Sequence, residues 1–325
     1  LFERKIEMLD DNEKNWINNL NYKIQLRNYR FLKNFTHKVS PYSFLDDRFF
    51  LQYKFLQLFG KKIKLGNPKS FNEKLQWLKL FDRNPLYTQL VDKFSVRAYV
   101  RKKIGDMYLN ELLDVYISVK DIKWNELPNQ FVMKTTHGCG QNIICYNKKD
   151  LNTKQAIINL SHWLGENNYE RSREWPYKNV EPRIICEKYI PWDPQLGLVD
   201  YKVYCFDGTP TFIDVHYGRY TIHKSIFYNT NWERQPFGLI PKETELDFRR
   251  PKKLPEMLSI AQSLSEGIPF CRIDLYYVDE KIYFGEVTFF PGGGFLPFHP
   301  FKYNKVIGEL IELPERKLRL ILCNL

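Results

Sequence analysis

The chain has 325 residues, 43% of them hydrophobic and 16% aromatic, a composition that excludes disorder as its main state. No apolar run approaches the roughly 18 residues a membrane span needs, so no segment reads as a transmembrane helix. Lys and Arg number 49 against 38 Asp and Glu, a net charge of +11, which favours anionic partners: nucleotides, sugar phosphates, nucleic acid or an anionic membrane face.

Residues 1–36 carry apolar positions at helical spacing among many charges, with no Gly or Pro, and predict a long surface helix. Aromatic and Leu residues recur at helical intervals over 46–59 and 70–81, and Ser70 followed by Glu73 predicts a capping box. The segment VDKFSVRAYVRKKIG predicts a third helix over 91–105, with Gly105 as its stop. The pattern then changes: 112–119, 130–136 and 142–147 read as strands, 153–166 as a helix, and 183–190, 200–208, 209–218 and 223–229 as further strands. A helix near 253–266, a hairpin over 269–289 and a helical stretch beyond 303 complete the order. Runs of strands with short turns between them predict an α+β fold with largely antiparallel sheets.

The six cysteines, Cys139, Cys145, Cys186, Cys205, Cys271 and Cys323, are scattered singly without a CxxC pair, which fits reduced thiols and a cytoplasmic location. The chain begins at Leu1 and shows no signal core or transit composition. The expectation is a trimmed chain or part of a longer polypeptide.

Two segments carry chemistry. In FVMKTTHGCGQNIICYN (131–147) a buried-type strand ends in Lys134, and a Gly-containing loop leads into the next strand. Gly138 and Gly140 lack Cβ, so backbone N–H groups there can approach phosphate oxygens while Lys134 supplies charge. An ordinary Gly-bearing hairpin remains the alternative. In PFCRIDLYYVDEKIYFGEVTFFPGGG (269–294) two strand-like runs flank Asp279, Glu280 and Lys281. If those three residues form the turn, Val278 pairs with Ile282, Asp274 faces Glu286, and Arg272 faces Thr288. Two facing carboxylates need a cation, and Mg²⁺ takes carboxylate oxygens together with substrate phosphates. A register shifted by one residue would separate them.

These segments, together with 67–100, REWPYKNVEPRIICEKYI (173–190) and DYKVYCFDGTPTFI (200–213), resemble the ATP-grasp superfamily, specifically its teichuronopeptide-biosynthesis, TupA-like branch. The resemblance implies ATP held between two α+β lobes. It also implies a carboxylate that attacks the γ-phosphate to give an acyl phosphate, from which an amine displaces phosphate to form an amide. On that reading residues 1–60 are an N-terminal helical extension, 61–128 an N-terminal lobe, 129–190 the ATP-binding lid lobe, and 191–325 the C-terminal lobe with the metal and substrate site.

Carried over by motif, Lys93 and Lys134 resemble the two nucleotide-binding lysines. His137, Gly138, Gly140 and Asn142 resemble the phosphate-covering loop, where Cys139 and Gln141 depart from the HGSGGN pattern. Glu187, Lys188, Tyr189 and Ile190 resemble the hinge strand, with Glu187 at the adenine amine. Asp200 resembles a ribose or substrate contact, and Lys202 a phosphate ligand. Asp274 and Glu286 resemble the magnesium carboxylates, with Thr288 where many members carry Asn. Arg219 and Arg272 are expected to bind an acceptor carboxylate, a phosphate or the acyl phosphate, and His216, His223 and Lys224 fall near the cleft in this branch. Expected cofactors are ATP and Mg²⁺. The expected partners are a uronic acid, free or on a nucleotide sugar or glycan, and a small amine such as an amino acid or amino alcohol. A glycosyltransferase domain or partner of the same polysaccharide pathway, at the inner face of the membrane, completes the expectation. An ATP-dependent phosphotransferase and a non-catalytic nucleotide-binding module stay open as alternatives; nothing resembles an RNA-recognition motif, and nucleic acid is not expected.

Overall fold

The computed structural model describes residues 46–192, 197–218, 223–239 and 247–315. The expected helix over 1–36 and the expected site residue Arg219 lie outside them. Helix α1 (Asp47–Phe59) starts at Asp46, whose carboxylate accepts from the Arg48 and Phe49 amides, and stops at Gly60 in the left-handed conformation. Helix α2 (Phe71–Phe81) opens with the expected capping box, Ser70 and Glu73 each satisfying the other's backbone amide.

The third helix differs from expectation. The helix expected over 91–105 begins later, as α4 (Val96–Ile104), and a separate helix, α3 (Leu86–Val91), precedes it and ends at Val91. The break is Asp92, whose carboxylate accepts from the Phe94 amide at 2.9 Å and the Ser95 hydroxyl at 2.6 Å. A side chain that bonds its own following backbone competes with the helical ladder, and apolar periodicity does not report that.

Strands β1 (Leu112–Tyr116), β2 (Phe131–Thr135), β3 (Asn142–Cys145) and β4 (Ile184–Lys188) form an antiparallel sheet in the order β1-β4-β2-β3. Helix α5 (Thr153–Leu164) contributes Leu160 to a core with Phe131, Met133, Ile184 and Cys186. Alternation along β2 buries Phe131, Met133 and Thr135 and turns Val132 and Lys134 the other way. A short helix, α6 (Tyr169–Ser172), lies between α5 and β4.

The second sheet runs β7-β6-β5-β8-β9, from β5 (Asp200–Phe206), β6 (Thr209–Tyr217), β7 (Lys224–Asn229), β8 (Phe270–Val278) and β9 (Lys281–Thr288). Helix α7 (Leu254–Ser265) buries Leu254, Met257, Ala261 and Leu264 in the same core as Val203, Ile213 and Ile273. Period-two alternation sends Asp200, Lys202, Asp214, Arg272 and Asp274 to the opposite face of the sheet.

The β8–β9 turn has two residues and not three. Asp279 and Glu280 both take positive φ, 49° and 59°, as a type I′ hairpin requires, and Val278 pairs with Lys281. A bulge between Asp274 and Leu275 then absorbs one residue at Gly285, so Asp274 still faces Glu286 and Arg272 still faces Thr288. The expected pairing holds, by compensation between a shorter turn and a bulge. Gly285 fits the bulge because a Cβ there would lie 3.0 Å from the Asp274 carbonyl oxygen.

Helix α8 (Tyr303–Glu309) packs on the start of α2. A Cβ on Gly308 would stand 2.5 Å from both the Lys69 carbonyl oxygen and the Phe71 amide nitrogen. Backbone cannot yield as a side chain can, so Gly308→Ala is expected to lower unfolding stability by about 3 kcal/mol. Denaturant titration checks this, and an unchanged midpoint would mean that α8 moves aside freely.

Candidate active site

A solvent-open cleft lies between the two sheets. Val132, Lys134, Asn142, Ile144, Lys188, Ile190 and Trp192 line it from the first sheet side, and Asp200 and Tyr276 from the second. Five expected nucleotide-site residues, Lys134, Asn142, Lys188, Ile190 and Asp200, thus share one wall-and-floor arrangement. The apolar strip of Val132, Ile144 and Ile190 beside polar groups is the usual make-up of a small-molecule site. Tyr189 stands at the edge, 5.7 Å from the Tyr146 ring and 5.1 Å from Trp192.

Glu187 occupies a different setting from an open adenine contact. Its carboxylate accepts from Lys134 Nζ at 2.8 Å and from Arg97 Nη1 at 3.1 Å, and the residue is buried. Arg97 also donates to the Asn110 carbonyl at 2.7 Å. Sequence reading did not single out Arg97; its one local signal is its place four residues after Lys93, in the first turn of α4. A charge on a short helix face reads as solvated until the partner strand is known.

The loop between β2 and β3 is fastened at several points. Lys93 Nζ donates to the Gly138 carbonyl at 2.5 Å, and its backbone amide donates to the Thr136 carbonyl. His137 is buried against the Trp163 carbonyl, 3.1 Å from Nε2, and burial lowers its pKa. Gln141, the departure from the family pattern, links the Thr135 hydroxyl to Glu166, donating to Glu166 Oε2 at 2.6 Å. Gly138 is what makes room for it: a Cβ there would fall 1.7 Å from Gln141 Oε1. Gly138→Ala is therefore expected to expel the Gln141 side chain from its two partners. Amide exchange over 137–141 should rise severalfold with little change in melting temperature; unchanged exchange would show that Gln141 does not hold the loop.

The floor of the second sheet carries a compact charge cluster. Arg272 donates to both oxygens of Asp274, at 2.6 Å from Nε and 2.7 Å from Nη2, and to the Thr288 hydroxyl at 3.2 Å. Lys202 Nζ lies 2.6 Å from Asp274 and 3.2 Å from Asp200. Burial alone would raise the Asp274 pKa, but Arg272 and then Lys202 hold it well below the usual carboxylate range. Glu286, on the neighbouring strand, is the more accessible acid and lies 3.8 Å from Arg272 Nη2. The cations that compensate the facing carboxylates are thus Arg272 and Lys202. Lys202, expected as a phosphate ligand, is buried between two acids.

The residues present fit Mg²⁺ in donor type: two facing carboxylates and a hydroxyl, all hard oxygen donors. Among the described residues no cluster of three or more His, Cys, Asp or Glu side chains could hold a metal alone. An ion held by one or two carboxylates plus nucleotide phosphates needs no such cluster.

Glu174 and Tyr177 were also missed. Glu174 is buried and accepts from Ser172 Oγ at 2.6 Å, and burial raises its pKa, an effect to which Glu286 adds. Burial, with Glu174 and Glu286 adding, raises the pKa of Tyr177 well above its usual value. Cys139 is exposed, and desolvation by the surrounding loop, with Glu286 adding, raises the pKa of its thiol, which suits a bystander better than a nucleophile. The PGGGF turn faces inward: the Gly293 carbonyl accepts from Lys79 Nζ at 2.6 Å and the Gly294 carbonyl from Gln76 at 2.8 Å. It serves the packing of α2.

Residues 73–312 match the family model described as TupA-like ATPgrasp. Curated proteins give no match. Among solved structures, the D-alanine–D-alanine ligase of Bacillus anthracis complexed with ATP is similar at 14% identity and a TM-score of 0.36, over 69% of this chain and 68% of that one. The D-alanine–D-alanine ligase of Helicobacter pylori follows at 14% and 0.39, over 75% and 70%. A RimK domain ATP-grasp protein of Sphaerobacter thermophilus stands at 12% and 0.40, over 71% and 69%. These likenesses are distant, and the match over 73–312 carries the assignment: the chain belongs to the TupA-like ATP-grasp family.

Proposed function

We propose that this ATP-grasp ligase joins a carboxylate to an amine through an acyl phosphate. The acid in this reading is a uronic acid, free, nucleotide-linked or within a glycan, and the amine an amino acid or small amino alcohol. The setting is the synthesis of a bacterial surface polysaccharide. The single observation that carries the chemistry is the cluster of Arg272, Lys202, Asp274 and Glu286 on the sheet face that also lines the cleft.

Transfer of a phosphoryl group spreads negative charge over its oxygens, and fixed cations in a partly dehydrated cleft stabilise that charge without reorganising. Lys134 reaches the nucleotide from the first sheet, and the loop over 137–141 covers it. Arg272 stands across the cleft at the acid end, where the acyl phosphate would form. Asp274 and Glu286, with Thr288, would hold Mg²⁺, which neutralises phosphate charge when bound. Asp274 also keeps the Arg272 fork oriented by accepting at both oxygens. The choice of a uronic acid rests on membership of the TupA-like branch and on the net charge of +11, which favours a phosphorylated or nucleotide-linked substrate.

The test is incubation with ATP, Mg²⁺, hydroxylamine and a panel of free and nucleotide-linked uronic acids. Acid-dependent hydroxamate with ADP release is the expected result, read by mass spectrometry. A stable phosphate ester in place of hydroxamate would make the chain a phosphotransferase.

A further inference from the structure

Exposed apolar side chains scattered singly over a surface need no explanation. Around α8 they are gathered: Leu296, Phe301, Val306 and Leu310 are 39–53% exposed and lie within one short stretch of chain. Asn304, Ile307 and Gly308 form the buried side of the helix. Residues four apart share a helix face, so Lys302, Val306 and Leu310 make one outward stripe. Asn304 ties the preceding loop to the helix by donating to the Phe298 and Phe301 carbonyls, both at 2.9 Å. The Leu296 carbonyl accepts from Asn72 of α2 at 2.9 Å, so all four side chains stand on one platform of α2, α8 and the loop that follows β9.

Lysines surround them. Lys61 Nζ stands 5.8 Å from the centre of the Phe301 ring. In the same segment Ile63 and Leu65 are buried while Lys62 and Lys64 are exposed, and on α8 Lys302 and Lys305 are exposed. Among the described residues none of these five lysines forms an ion pair. The acids at the far end of the helix, Glu309 and Glu312, act on Lys74 of α2, whose Nζ donates to the Ile311 carbonyl at 2.6 Å. The face keeps an excess of positive charge around its apolar centre.

We propose that this face rests on an anionic lipid bilayer, an inference independent of the ligase reading above. Long lysine stems carry the ammonium groups to the headgroup phosphates while the shorter apolar side chains enter the acyl boundary, so both parts of the patch are satisfied together. The contact is peripheral, since among the described residues no helix is long and apolar enough to cross a membrane. A nucleic acid backbone meets the lysines but leaves the apolar side chains without a partner. A second copy laid on the same patch sets lysines against lysines.

Co-sedimentation of the full chain with vesicles of phosphatidylcholine and phosphatidylglycerol in equal parts, against vesicles of phosphatidylcholine alone, tests this. The native chain is expected to bind the anionic vesicles, and less as salt rises. Each lysine near such a surface strengthens binding about fivefold, so Lys62→Glu with Lys305→Glu is expected to weaken it at least about 20-fold, and Val306→Asp about 10-fold. The same charge change beside the first sheet, Lys120→Glu with Lys154→Glu, both exposed, should leave binding within about twofold of native. Every substituted side chain is solvent-facing, and melting temperatures should stay native. No binding of the native chain to anionic vesicles, equal binding to phosphatidylcholine alone, or an equal loss in both lysine pairs overturns the proposal. So does a native dimer that Val306→Asp splits without any vesicle binding, which makes the face a contact between copies. Binding of a short DNA duplex in place of vesicles gives the face to nucleic acid and overturns the proposal as well.

Discussion

Glu286→Gln is expected to lower ADP release at least about 100-fold while leaving the melting temperature close to that of the native chain. Glu286 is partly exposed, and its one ion pair is long, 3.8 Å to Arg272. Asp274→Asn is expected to abolish turnover as well, but not with the fold intact. Asp274 is buried and accepts two hydrogen bonds from Arg272 and one from Lys202. Removing its charge leaves those cations against Asp200 and the more distant Glu286, and breaking a buried pair in this way costs about 3–5 kcal/mol.

The same carboxylate has a pH signature. Its pKa is depressed in the folded chain, so its stabilisation is complete above the unfolded value near 3.8 and is lost as pH falls below that value. The acid limb of the native stability curve should therefore be steeper than that of Asp274→Asn. Comparing unfolding midpoints of the three chains from neutral pH down to the acid limb checks both statements. A Glu286→Gln chain with native turnover, or parallel acid limbs, would contradict the role given to this pair.

Lys134→Met is expected to weaken ATP binding by about 10–100-fold, the worth of a hydrogen bond to a charged group. Lys134 lines the cleft and, without nucleotide, rests on Glu187. Its loss leaves Glu187 paired with Arg97 alone. Because Arg97 remains, the sheet should keep its fold, and the effect should appear in nucleotide affinity and not in stability. Calorimetric titration with ATP reads it directly. Native affinity in Lys134→Met would mean that the phosphates lie elsewhere in the cleft.

Local pattern was enough for most of the elements. Of the cleft-lining residues, Lys134 is read from its place at a strand end, whereas Asn142, Lys188, Ile190 and Asp200 come from the family resemblance. Long-range pairing was not legible in the same way. Asp92 breaks a helix through a side-chain bond that periodicity does not see. Lys202 resembles a phosphate ligand by motif, and only the β5–β8 register brings it against Asp274. The β8–β9 pairing is recovered because a two-residue turn and a bulge at Gly285 offset each other, which no spacing rule foretells. Arg97 and Glu174 lie within the segments that carry the resemblance, but their partners exist only once the chain is folded.

The central claim is that a carboxylate oxygen of the substrate passes to phosphate. The most direct measurement supplies a hydroxamate-forming uronic acid with oxygen-18 in its carboxylate, together with ATP, Mg²⁺ and an amine, and weighs the phosphate released. An acyl phosphate predicts one oxygen-18 atom in each phosphate formed with the amide. Unlabelled phosphate, with all the label kept in the acid or its product, would contradict it.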